Sequence, residues 1–377
     1  MFKNFNYTIK ARAFALRYPT LNFILIQINF WIVAFLILFT IMYLNTKATY
    51  TTLNLENNYP FFINIIYSVL AGLFYGITLG FVDVLIEKYH NRNLSLGRIM
   101  LMQGLTYYIL IILLMLFSRY VLWEYISVNY IPENIAENIN DNVWKYYYWI
   151  VLIYTFAMAM IISFINQMNK KFGPGVLLPM LMGKYRNPKE EQRVFMFMDL
   201  KSSTMYAEKL GHLKYSAMIR DSFVDINKIL GEYRAEVYQY VGDEIVVSWP
   251  QTNDFDGSPC VEFYFACQEQ FNKRRLYYFE KYGAIPKFKA GLHQGIVTTV
   301  EVGDVKRDLA YHGDAINTTS RIQEKCNEYE SDILVSEAFW EKVKFPKKFQ
   351  KDFVGEVLLK GKEIPVKLFR VQFANVI

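Results

Sequence analysis

Four long stretches of this chain carry no charged side chain, and all of them fall before residue 170. They run 21–44, 61–82, 99–118 and 146–168, and are 24, 22, 20 and 23 residues long. A helix needs about 20 apolar residues to cross the hydrocarbon core of a bilayer, so each is long enough to span it. Buried core helices of a globular domain are the alternative, but four such uncharged runs within 170 residues would be unusual there. The first run is too long for a signal-peptide apolar region, and no small-residue cleavage site follows it, so it is expected to be retained as a span. Residues 1–168 are therefore expected to form an α-helical four-span membrane domain, with a linker over 169–193 and a separate domain over 194–377.

Charge orients the spans. Lys3, Lys10, Arg12 and Arg17 precede the first run; Lys88, Arg92 and Arg98 follow the second; Lys170, Lys171, Lys184, Arg186, Lys189 and Arg193 follow the fourth. The opposite side holds Lys47, Arg119 and Lys145. Basic residues favour the cytoplasmic side, so both termini and the C-terminal domain are expected inside, in a multi-pass protein of a bacterial inner (plasma) membrane. Gly72, Gly76 and Gly80 recur every four residues in the second run and make one helix face flat. That stripe suits close helix packing, either within one bundle or between two copies. Asp83 and Arg119 sit at the edges of their runs, so no charge is expected mid-span, and an anchor is favoured over a transporter or proton relay.

Composition excludes several classes. With 53% hydrophobic and 20% charged residues the chain is not a disordered one. Its three cysteines, Cys260, Cys267 and Cys326, form no CxxC pair, which argues against a disulfide scaffold or zinc ribbon. The excess of 41 Lys+Arg over 35 Asp+Glu is too small to argue for nucleic acid.

From Val194 the pattern changes to short strands alternating with amphipathic helices, an α+β or α/β domain. Strands are expected at 194–200, 237–241, 244–249, 287–293, 296–302, 333–335, 353–359 and 366–371. Helices are expected at 215–231, 257–281, 314–329 and 336–343. Asp199 ends an apolar strand beside Leu-Lys-Ser-Ser-Thr, where a carboxylate and a backbone carbonyl could hold a hard cation, although such an Asp more often caps a helix. Asp243 follows Gly242 at a tight hairpin, where it is also an ordinary turn residue. If their strands are neighbours, the two carboxylates could bridge two divalent ions for in-line phosphoryl or nucleotidyl transfer. Asn317 and Arg321 stand four apart and share a helix face, which suits a crowded anion or a solvated surface. Leu358-Leu-Lys360-Gly-Lys362 would place lysines at a strand end beside a glycine, suited to polyphosphate.

The ordered set FMDLKSST, YVGDEIVVSW, GLHQG, GDAINTTSR, ILVSE and LKGKEIPVKLF resembles the catalytic domain of class III nucleotide cyclases, over about residues 172–373. The resemblance implies a ferredoxin-like (palm) fold acting as a head-to-tail homodimer with sites at the interface, and membrane-bound bacterial members share the multi-span anchor. It assigns metal binding to Asp199, Asp243 and the Leu200 carbonyl, with two divalent cations, Mg²⁺ or Mn²⁺. It assigns ribose orientation to Asn317, stabilisation of charge on the α-phosphate to Arg321 and terminal phosphate binding to Lys360. One protomer would supply the aspartates and the other Asn317, Arg321 and Lys360. The implied reaction is attack of the ribose 3′-oxygen on the α-phosphorus of a nucleoside triphosphate, giving a 3′,5′-cyclic nucleotide and pyrophosphate. No protein nucleophile is required, and His293 and His312 are expected to be structural.

The base pocket departs from the family pattern. Its two positions hold Gln239, where adenylyl members carry Lys and guanylyl members Glu, and Ala310, where adenylyl members carry Asp or Thr. Gln both donates and accepts, and Ala does neither. ATP is the expected substrate on cellular abundance and family frequency, with cyclic AMP as product. The alternatives are a guanylate or pyrimidine nucleotide cyclase with the same mechanism, or a catalytically silent cyclase-like sensor. A diguanylate cyclase fits less well. VGDEI lacks that family's first glycine and final Phe, and that family has no counterpart of Asn317-x3-Arg321 or of the LKGK strand.

Overall fold

The computed structural model describes residues 14, 18–54, 60–90, 96–117, 119–120, 141–172, 176, 179–180, 182–251, 256–305, 307–341, 348–361 and 363–373. Two compact units divide the chain: one is Tyr18–Leu177, and the other contains Leu178–Ile377. Lys362 lies outside the described residues.

Among the described residues the first unit holds four helices: α1 (Pro19–Thr52), α2 (Phe61–His90), α3 (Leu96–Phe117) and α4 (Asp141–Phe172). Three of them, α1, α2 and α4, contain stretches long and apolar enough to cross a membrane, and α3 holds a shorter apolar stretch, Met102–Phe117. Their inward faces bury Trp31, Phe35, Tyr75, Leu79, Tyr107, Ile111 and Ile162. Outward, Leu70, Phe74, Phe81, Leu113, Ile153 and Phe156 are exposed, so the helices are apolar on both sides, as a lipid-facing bundle requires.

The glycine stripe is used within the chain. A Cβ built on Gly72 would lie 2.5 Å from the Ile32 Cα, and one on Gly76 2.4 Å from the Ile28 Cα. At Gly80 the nearest atom, Ile24 Cγ1, is 3.2 Å away. Removing the side chains lets the α1 and α2 backbones touch. The expectation for Asp83 is corrected. It is 4% exposed and accepts hydrogen bonds from Gln27 at 3.2 Å and the Tyr107 hydroxyl at 2.7 Å. A carboxylate at a run's edge is thus drawn inside the bundle by two polar partners from α1 and α3.

The second unit is an eight-stranded mixed sheet with helices. Its strands are β1 (Lys189–Leu200), β2 (Glu236–Val241), β3 (Glu244–Pro250), β4 (Phe288–Val302), β5 (Asp308–His312), β6 (Ile333–Ser336), β7 (Phe349–Val357) and β8 (Val366–Phe373). They run in the order β2-β3-β1-β4-β6-β8-β7, with β5 paired to β4. All pairs are antiparallel except β4–β6. The helices are α5 (Ser203–Ile229), α6 (Ser258–Lys273), α7 (Arg275–Tyr282), α8 (Asp314–Glu324) and α9 (Glu337–Trp340). The strand β1 is central and almost wholly buried from Arg193 to Met198. Its Val194, Met196 and Met198 join Trp249, Phe263, Tyr264, Phe271 and Phe288 in the main core.

Several element boundaries differ from expectation for identifiable reasons. The two strands expected at 287–293 and 296–302 are one, because Gly295 is not a break. A Cβ there would lie 2.8 Å from the Ala315 Cβ, so the glycine serves close packing of α8. The single helix expected over 257–281 divides at Arg274, which has non-helical φ −102° and ψ 19°. Helix α5 starts twelve residues before the expected 215, and Gly211 (φ 71°, ψ 164°) kinks it. The strand β5 was not anticipated.

Candidate active site

The hairpin Gly242-Asp243 joins β2 to β3, with Val241 paired to Glu244. Gly242 has φ +62°, which a side chain would resist, so the turn needs its glycine. On the other side of β3, Asp199 of β1 stands opposite Glu244. The condition set by the sequence is therefore met: the strands of Asp199 and Asp243 are neighbours, and the two acids lie one position apart in the register. Leu200, with its carbonyl, follows Asp199 at the end of β1 and is buried.

The surroundings of these acids explain their electrostatics. Burial, followed by the charges of Asp199, Asp243 and Glu324, pushes the Glu244 carboxyl up to about 7, with Lys289 opposing. Burial also raises Asp199, joined by the Asp243 charge and opposed by Lys289 and Gln323. The hydroxyl of Tyr215 on α5 is raised first by burial and then by the Asp243 charge. Lys289 of β4 stands opposite Asp199 in the register, and its Nζ lies 3.2 Å from Asp199 Oδ2. Gln323 of α8 donates to the same oxygen at 3.3 Å.

This acidic edge fits a divalent cation. Asp199, Asp243, Glu244 and Glu324 influence one another, and Lys289 is the cation that offsets them in those interactions. Among the described residues no group of three His, Cys, Asp or Glu converges to hold a metal by itself. Two carboxylates and a carbonyl, with substrate phosphates completing the shell, is the ligand pattern magnesium commonly accepts.

Helix α8 presents Asn317 and Arg321 away from the sheet. Ala315, Thr318, Thr319, Ile322 and Gln323 form its buried face, while Asn317 is exposed and Arg321 half-buried. The Arg321 Nη1 pairs with both oxygens of Glu324, at 2.8 and 3.0 Å. Lys360 lies in the turn after β7, with Gly361 at φ +86°, rather than at the end of a strand as expected. The strands β4 and β6 lie between β1 and the β7–β8 hairpin, so one chain does not bring Lys360 to Asp199.

The base-pocket candidates stand at one edge. Tyr311 N donates to the Tyr238 hydroxyl at 3.3 Å, and the two rings lie 4.8 Å apart. Gln239 and Ala310 are the chain neighbours of these two residues, Gln239 exposed and Ala310 partly so. His293, by contrast, is buried and bonded to Ser336 Oγ at 2.7 Å, a structural role.

Glu244, Lys289 and Gln323 were not singled out in the sequence. Lys289 left one signal, a cation between the apolar strand residues Phe288, Ala290 and Leu292. Gln323 left none, because a polar residue on a short helix reads as solvated.

Residues 186–372 match the family described as the adenylate and guanylate cyclase catalytic domain. The chain is 31% identical over 212 residues to adenylate cyclase 2 of Rhizobium meliloti, covering 56% of this chain and 58% of the relative. It is 24% identical over 181 residues to an adenylate cyclase of Anabaena cylindrica, covering 47% and 36%. The matches thus span just over half and about a third of those curated relatives. Among solved structures, the adenylyl cyclase CyaB from P. aeruginosa aligns over 50% of this chain and 98% of its own, at 19% identity and TM-score 0.45.

Proposed function

Since residues 186–372 are a class III adenylate and guanylate cyclase catalytic domain, and the chain belongs to that family, we propose that it converts ATP to 3′,5′-cyclic AMP and pyrophosphate at sites shared by a homodimer. The observation that carries this reading is the β1–β3 register, which sets Asp199 beside the Asp243 hairpin on an edge with surplus negative charge.

Asp199, Asp243 and the Leu200 carbonyl would hold two divalent cations, Mg²⁺ or Mn²⁺. When bound, such ions lower the pKa of the ribose 3′-hydroxyl and neutralise the leaving phosphates. The Lys289 ammonium, beside Asp199, helps keep that carboxylate ionised and ready to ligate. Asn317 orients the ribose, and Arg321 meets charge growing on the α-phosphate. Lys360 holds the terminal phosphates. Arg321 has one guanidinium nitrogen engaged by Glu324, which leaves its other N–H donors for the anion. What a single chain lacks supports the dimer: Lys360 is strands away from Asp199, and Asn317 and Arg321 point outward.

The membrane unit would place this domain on the cytoplasmic side of a bacterial inner membrane through four spans, with both termini inside. The apolar outer surface of the helices and the excess of basic residues in the inner loops support that arrangement.

A second reading keeps the mechanism and changes the base. Ala310 cannot hydrogen-bond a base, and the Gln239 amide can turn either way, pairing with the adenine edge or with that of guanine or a pyrimidine. Chromatography of products from the purified protein given ATP, GTP, CTP and UTP separately, with Mg²⁺ and then Mn²⁺, decides between them. A dominant cyclic AMP peak supports the ATP reading. A dominant peak of another cyclic nucleotide overturns the base and keeps the reaction. No cyclic product from any of the four would leave a catalytically silent sensor.

A further inference from the structure

The Gln323 side chain lies beneath the acidic edge without belonging to it. The residue is 4% exposed, yet it stands two positions after Arg321 on the helix that presents Asn317 and Arg321 outward. Its backbone is fixed from below: a Cβ on Gly291 of β4 would lie 2.5 Å from Gln323 N and 2.8 Å from its Cα. With the helix seated that closely, the side chain reaches across to Asp199, and its Nε2 donates to Oδ2 at 3.3 Å. Lys289 approaches that same oxygen, at 3.2 Å. Both donors therefore engage Oδ2.

We propose that Gln323 is a positioning residue for the metal ligand Asp199. By holding Oδ2 it turns Oδ1 outward to receive the cation, and it ties that ligand to the helix carrying Asn317 and Arg321. This rests on the metal-binding reading given above. The residue type fits the task. A neutral amide adds no further negative charge beside Asp199, Asp243, Glu244 and Glu324, and it donates along a direction set by its plane. Lys289 cannot supply this alone, because an ammonium on a flexible stem attracts the carboxylate without fixing its rotation. A residue that hydrogen-bonds a metal ligand from behind commonly contributes 10- to 100-fold in metal affinity.

The test is Mn²⁺ binding to the full-length protein in detergent, with no nucleotide, followed by the electron paramagnetic resonance of free Mn²⁺. Wild type, Asp199→Ala, Gln323→Leu and Gln323→Met are compared. The expected result is loss of a binding component in Asp199→Ala and weakening of that component by about 10- to 100-fold in both Gln323 variants. In turnover assays the half-saturating Mn²⁺ concentration should rise by a similar factor, while kcat at saturating Mn²⁺ falls by a smaller one. A purely structural role would lower kcat and thermal stability together and leave Mn²⁺ affinity alone. If Gln323→Leu fails to fold, Gln323→Met, which keeps the length of the side chain, carries the comparison. Wild-type affinity in the Gln323 variants, with the component lost in Asp199→Ala, overturns the positioning role and leaves the metal reading standing. Unaltered binding in Asp199→Ala overturns both.

Discussion

Replacing Gly291 by alanine should damage the enzyme despite being a single-methyl change in a strand where alanine is ordinarily acceptable. By conformational entropy alone Gly→Ala would stabilise the fold by about 0.4–1 kcal/mol. Here the new Cβ would sit 2.5 Å from Gln323 N, 2.8 Å from its Cα and 2.9 Å from its Cβ. Two of these are backbone atoms and cannot rotate aside, so α8 must retreat from β4 by about 1 Å to restore ordinary contact. Overpacking of this kind costs about 1–3 kcal/mol, or roughly 2–12 °C in Tm for a domain of this size. Function should suffer more than stability. Asn317 and Arg321 ride on α8, and a displacement of about 1 Å in a positioning element can cost about 10²-fold in rate. Cyclase turnover at saturating substrate and the thermal transition are the assays, with Gly104→Ala as control, since a Cβ there meets nothing within 4 Å. A Gly291→Ala protein with raised Tm, or with kcat within twofold of wild type, would refute the argument from α8 seating.

Mixing Asp199→Ala with Arg321→Ala chains should restore part of the activity that each lacks, because one interface site in the mixed dimer keeps both residues; no recovery in a verified mixed dimer counts against shared sites. Burial opposes ionisation of Asp221, but hydrogen bonds from Tyr277, Lys281 and Tyr282 outweigh it and hold the carboxyl well below the usual carboxylate range. A depressed folded-state pKa contributes stability that is fully present above the unfolded value of about 4 and is lost as pH falls below it. Tm measured from pH 7 downward should therefore fall in the acid range, and more shallowly in Asp221→Asn; equal acid limbs in the two proteins would contradict the linkage. In the membrane unit, Gly76→Leu should separate α1 from α2, since even a Cβ would meet the Ile28 Cα at 2.4 Å. Crosslinking yield between cysteines placed on those two helices should drop, and an unchanged yield would show that the stripe faces elsewhere.

The apolar runs could be seen in the sequence because exclusion of charge over the length of a span is a one-dimensional property. So could the hairpin at Gly242-Asp243, the strand ending at Asp199 and the shared face of Asn317 and Arg321, each set by local spacing. What stayed hidden depends on partners distant in the chain. Asp83 looks like an edge residue until Gln27 and Tyr107, 56 and 24 positions away, are placed around it. Gly295 resembles a strand break until Ala315 is seen against it. Arg193 looks like one more basic residue of the linker, yet it is 1% exposed and bonded to Glu236 and Ser248.

The same division holds at the active site. Residue types and their order were enough to point to the family and to propose Asp199, Asp243, Asn317, Arg321 and Lys360 as its site residues. The tertiary structure decided that Glu244 faces Asp199, that Lys289 and Gln323 share its Oδ2, and that Lys360 lies beyond β4 and β6 from it. The physical reason is that chemistry is written in residue identity and short spacing, whereas strand register and helix seating set the field around a carboxylate and the atom it turns outward.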